Sequence, residues 1–88
     1  MRYSRSSTVE AAPMADETVL FNSATNKFCL LNRSAAVVWQ TLESPQTLEV
    51  LARQLCEAFP DVSEEQARRD VESALTEFSS LSLVVGDD

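Results

Sequence analysis

An 88-residue chain that is 44% apolar and 24% charged suits one soluble globular domain and leaves no room for a second core. Fourteen acidic against seven basic residues give a formal charge of -7. That argues against a phosphate backbone as partner, because nucleic-acid affinity comes largely from Lys and Arg neutralising phosphates.

Met1–Ser7 is polar, lacks the apolar middle region of a secretory signal and is expected to be a flexible N-terminus. No apolar run approaches the roughly 20 residues of a membrane span, so a cytoplasmic protein with no membrane partner is the expectation. Thr8 to Met14 contains Pro13, as an edge or terminal strand tolerates. Thr18 to Asn22 is rich in strand-forming residues, and Phe28 to Leu31 is a second short apolar run. Ser23 to Lys27 between them has the length and polarity of a hairpin loop, with Asn26 able to take the left-handed conformation.

The period changes at Asn32. Asn32 or Ser34 caps a helix in which Ala35, Val38, Trp39 and Leu42 recur at helical spacing. Ser44-Pro45 stops it. Thr47 starts a second helix with the stripe Leu48, Leu51, Ala52, Leu55 and Phe59, closed by Pro60. Ser63-Glu64-Glu65-Gln66 is a capping-box pattern that opens a third, with Ala67, Val71, Ala74, Leu75 and Phe78 on its apolar face. Leu81, Leu83, Val84 and Val85 are expected to pack the end back onto the core, and residues 86–88 to be a flexible C-terminus.

Three antiparallel strands followed by three helices make an α+β domain with the helices on one face of the sheet. The second and third helices resemble a helix-turn-helix pair. Cys29 and Cys56, without CxxC spacing and each in an apolar stretch, read as buried reduced thiols rather than a disulfide or metal pair. No metal ligand set, cofactor motif or catalytic residue is expected.

Phe28-Cys29-Leu30-Leu31-Asn32, then Ala35-Ala36 and Trp39, resemble the aromatic strand, Leu-Asn pair and helix-borne Trp of the PqqD-like family. Thr47-Leu48-Glu49 to Leu51-Ala52 with Phe59, and Asp70-Val71, Leu75, Phe78 and Leu83-Val84, resemble its middle helix, last helix and closing tail. The similarity spans about Val9 to Val85 within an expected domain of residues 8–85. It implies a winged-helix-like domain that binds the leader segment of a ribosomally made precursor peptide and presents it to a modifying enzyme or leader peptidase. The resemblance further implies that the leader adds as a strand beside the last strand of the sheet, in a groove flanked by the third helix. The Trp-Asp and Pro-Glu-Gly pieces of the PQQ-pathway member are missing, and the stand-alone leader-binding proteins of lasso-peptide clusters are more similar. Asn26 and Ser82 stand where the family often has glycine.

The residues themselves are compatible with that site. An edge strand leaves a row of N–H and C=O groups that an extended peptide completes. Lys27, Phe28, Cys29, Leu30 and Leu31 form the last strand before the helices. Alternation places Cys29 and Leu31 on one face and Phe28 and Leu30 on the other, one pair for the core and one for a partner. On the third helix, Glu64, Arg68, Val71 and Leu75 share a row. Val71 and Leu75 are candidates for a groove floor as well as for core, and Arg68 for an acidic leader residue. The alternative, a winged-helix DNA-binding regulator, requires a recognition helix that carries Glu64, Glu65, Asp70, Glu72 and Glu77.

With no histidine and no Gly-rich phosphate loop, the isolated chain is expected to show no turnover, and a chelator to leave its thermal unfolding midpoint unchanged. Metal-dependent folding would contradict this.

Overall fold

The computed structural model describes residues 2–14 and 17–87. Among the described residues, five strands and three helices run in the order β1 (Arg2–Arg5), β2 (Val9–Met14), β3 (Glu17–Asn22), β4 (Lys27–Leu31), α1 (Arg33–Thr41), α2 (Leu48–Ala58), α3 (Glu64–Ser80), β5 (Val84–Asp87). β2, β3 and β4 form an antiparallel sheet in that order, with Phe21 opposite Phe28 and Val19 opposite Leu30. The expected α+β order of three strands and three helices is therefore present, and β4 has a strand neighbour on one side only among the described residues.

Turn and cap chemistry place the boundaries. The β3–β4 turn closes with the Asn26 N–H donating to the Asn22 carbonyl at 2.8 Å, and Asn26 takes φ 57°, a conformation Asn reaches at lower cost than most residues. Asn32, not Ser34, caps α1: its side-chain oxygen accepts from the Ala35 N–H at 2.7 Å. Thr47 and Ser63 cap α2 and α3 in the same way. Only half of the expected capping box forms on α3. The Gln66 amide turns forward and donates to the Asp70 carboxylate at 2.9 Å, a charged acceptor one helical turn on.

The chain termini depart from expectation. Arg2–Arg5, expected to be loose, is a strand that pairs antiparallel with Val84–Asp87, so the expected C-terminal loose end is also largely strand; Met1 and Asp88 lie outside the described residues. Tyr3 exchanges backbone hydrogen bonds with Gln46 at 2.7 and 3.0 Å. The Arg5 guanidinium lies 4.5 Å from the centre of the Trp39 ring and its Nε donates to the Trp39 carbonyl at 3.1 Å. A cation there serves the carboxyl end of α1 and the ring face together. Val85 is 54% exposed rather than packed inward. Ser82, at φ 58°, bends the chain so that Leu83 and Val84 enter the core while Val85 turns out.

The core lies between the three-stranded sheet and the helices. Leu20, Cys29 and Leu31 meet Val38, Trp39 and Leu42, Leu51 and Leu55, and Ala67, Val71, Leu75 and Phe78. Trp39 and Phe78 pack edge to face with ring centres 5.8 Å apart, a favoured aromatic geometry. One polar side chain, Asn22, is buried among the described residues. Its oxygen accepts from the Thr8 hydroxyl at 2.8 Å and the Ala24 N–H at 3.0 Å, and its amide donates to the carbonyls of Ser82 at 2.9 Å and Leu81 at 3.3 Å. Asn22→Ala removes a buried side chain that is the shared partner of four partly buried hydrogen bonds. It should lower stability by about 2–3 kcal/mol in urea denaturation; a change below about 0.5 kcal/mol would show the network to be dispensable.

Candidate peptide-binding site

The free edge of β4 and the flank of α3 beside it form the candidate site. Cys29 and Leu31 turn into the core and are 4% and 5% exposed, whereas Phe28 and Leu30 are 68% and 59% exposed on the outer face. Alternation thus resolves as one pair inward and one pair outward. Phe28 packs against Phe21 of the neighbouring strand with ring centres 4.7 Å apart and planes tilted by 39°, so the outer face carries an apolar row that continues to the edge of the sheet. Lys27 is exposed at the hairpin end of the strand.

The structure divides the α3 row expected from the sequence. Val71 and Leu75 are core, at 0% and 4% exposure, and contribute from beneath rather than as a surface. Arg68 lies by α2, in a cleft of about 220 Å³ with Glu49, Ala52, Arg53, Cys56 and Glu64. At about 100° per residue, Arg68 and Glu77 fall about 180° apart around the helix. Glu77 is the one beside β4: its Oε1 accepts from the Cys29 thiol at 3.5 Å. The flank toward β4 and the start of α1 therefore comprises Asp70, Ser73, Ala74 and Glu77, which line a cavity of about 120 Å³ with Asn32, Ser34 and Ala35. Periodicity locates the buried stripe of α3 but leaves two flanks beside it, and Glu64 and Arg68 lie on the one that faces α2.

No basic side chain lines that cavity. The one ion pair among the described residues, Arg69 with Glu65 at 2.9 Å, is exposed and lies further round α3. Nor, among the described residues, does any group of three or more His, Cys, Asp or Glu side chains suit a metal ion. No described helix is long and apolar enough to cross a membrane.

Both cysteines are free thiols. Burial, then the hydrogen bond to Glu77 and the charge of that carboxylate, push the Cys29 thiol from 9.0 up to about 11. A shift of that size leaves on the order of a hundredfold fewer thiolates at neutral pH, and the thiolate is the reactive form. Iodoacetamide should label Cys56 first and Cys29 only after unfolding or at strongly alkaline pH, and Glu77→Gln should speed labelling of Cys29. Equal rates for the two thiols in the folded protein would contradict this environment.

Two solved structures share the whole architecture. TbiB1 in complex with the TbiA(beta) leader peptide is 24% identical with a TM-score of 0.83, over 97% of this chain and 98% of that one. Lasso peptide synthetase B1 complexed with the leader peptide is 19% identical with a TM-score of 0.81, over 98% of this chain and all of the other. No curated protein matches this chain. The family model for coenzyme PQQ synthesis protein D matches residues 17–84, from the first residue of β3 to the first of β5. On that match, which takes in β4 and all three helices, the chain belongs to the PqqD family.

Proposed function

We propose that this protein binds the leader segment of a ribosomally made precursor peptide along the free edge of β4 and presents it to a modifying enzyme or leader peptidase. It acts in the cytoplasm, without catalysis of its own. The observation that carries the reading is an edge strand with Phe28 and Leu30 exposed on one face and a helix flank alongside. An extended peptide completes the ladder of main-chain hydrogen bonds, and pockets for alternate side chains select its sequence. The two structures of like fold are themselves complexes with leader peptides, which supports a peptide rather than another ligand.

The contact residues in this proposal are Lys27, Phe28, Leu30 and the β4 backbone, with Asp70, Ser73 and Glu77 as the opposite wall. Cys29, Leu31, Val71 and Leu75 hold both walls in place from the core. α3 is not read as a DNA-recognition helix. It carries Glu64, Glu65, Asp70, Glu72 and Glu77 against Arg68 and Arg69, and Arg69 is already paired with Glu65, so the helix repels phosphates.

Synthetic leader peptides from precursor genes adjacent to the gene for this chain provide the test, by calorimetry. Main-chain pairing tolerates side-chain loss, so Leu30→Ala should weaken binding only about threefold. Leu30→Pro should weaken it at least about tenfold, because proline removes a donor and restricts the strand; circular dichroism then separates lost binding from lost fold. Arg68→Glu, on the far flank, should leave affinity within about twofold. A folded Leu30→Pro protein that binds as the parent does would overturn strand addition.

A further inference from the structure

We infer that the peptide taken by the β4 edge alternates in chemistry, with Lys or Arg at positions that turn toward α3 and apolar or aromatic residues between them. The inference rests on the strand-addition reading above and adds a substrate class to it. Successive side chains of an extended peptide point to opposite faces. A strand laid beside β4 sends one set onto the outer face of the sheet and the other toward Asp70, Ser73 and Glu77.

The two surroundings differ in kind. On the outer face the peptide meets Phe28 and Leu30, at 68% and 59% exposure, in a row continued across the sheet by Phe21 and Val19. Cross-strand neighbours on one face are what stabilise sheet pairs, so apolar or aromatic side chains extend this row and cover it. Toward α3 the wall offers two carboxylates and no basic group. The Asp70 carboxylate accepts from the neutral Gln66 amide, and Glu77 from the neutral Cys29 thiol. The nearby Arg69 is held by Glu65 at 2.9 Å. Both carboxylates therefore lack a cation; Glu77 borders β4 itself and Asp70 the cavity at the start of α1, where β4 ends, and beside an edge that a peptide would desolvate an opposite charge on the incoming strand is favoured and a like charge is rejected. The chain's charge of -7 acts in the same sense at longer range, drawing in a cationic segment and repelling an acidic one.

The test uses a displayed library of random extended peptides, selected in parallel on the parent protein, on Asp70→Asn/Glu77→Gln, and on Glu49→Gln/Glu64→Gln. The last variant loses the same charge from the cleft between α2 and α3. Asparagine at 70 and glutamine at 77 keep acceptors for Gln66 and Cys29, so the fold is retained; circular dichroism checks this. Binders selected on the parent should carry Lys or Arg at every second position with apolar residues between. Replacing those basic residues by Glu should cost about fivefold or more in affinity at low salt. That preference should shrink in the Asp70→Asn/Glu77→Gln protein and persist in the other. Acidic or uncharged residues at those positions, basic residues without alternation, or an undiminished basic preference in Asp70→Asn/Glu77→Gln would each overturn the inference, even where amide shifts on Lys27–Leu31 uphold strand addition. If no selected peptide shifts those amides, strand addition itself falls, and this assignment with it.

Discussion

One buried amide joins the two halves of this fold. Asn22 closes β3, and its side chain bonds the carbonyls of Leu81 and Ser82 just beyond α3 while accepting from Thr8 and Ala24. Every polar atom of that side chain is satisfied at 1% exposure, the condition under which a buried polar group specifies an arrangement rather than destabilising it. The hairpin is thereby pinned against the C-terminal end of α3. At the other end of β4 the chain passes directly through Asn32, the cap of α1. β4 is thus held by side-chain hydrogen bonds near both of its ends, an arrangement that would reduce the ordering cost of the proposed strand addition.

The same arrangement exposes a hazard and moderates it. A short edge strand with Phe28 and Leu30 outward is a template for pairing with further chains. The net charge of -7 opposes self-association, and the strand is only five residues long. In the middle of it, burial and the neighbouring carboxylate disfavour the thiolate of Cys29. In the proposed complex the peptide covers what the fold leaves open, and an acidic chain selects a basic guest by the charge that keeps its own copies apart.

Much of this was legible from residue patterns. The hairpin, the three helix caps and the buried stripe of α3 each follow from local rules: polar turn residues between strand-forming runs, Thr47 and Ser63 before periodic segments, and apolar residues about a turn apart. Asn26 and Ser82, where the resemblance leads us to expect glycine, both adopt positive φ, so both backbone bends are made by non-glycine residues. β1 was not legible. Arg-Tyr-Ser-Arg has no apolar alternation, and its pairing with β5 depends on residues some eighty positions away; Arg5 earns its place through the Trp39 ring and carbonyl, a contact no local rule indicates. The flank of α3 that faces β4 was also out of reach. Arg68 and Glu77 are equally good helix-surface residues, and only the packing of the sheet against α1 and α3 decides between them.

Strand addition makes a claim about alternate amides that few other binding modes share. In an antiparallel sheet the N–H groups of successive residues point to opposite sides of the strand, so half the β4 amides bond β3 and the other half face the free edge. Hydrogen exchange resolved by residue, with and without a saturating leader peptide, reads them separately. The account predicts that protection rises at alternate residues within Lys27–Leu31 while their neighbours, already bonded to β3, change little. Protection gained instead along Leu48–Phe59, with β4 unaltered, would contradict it.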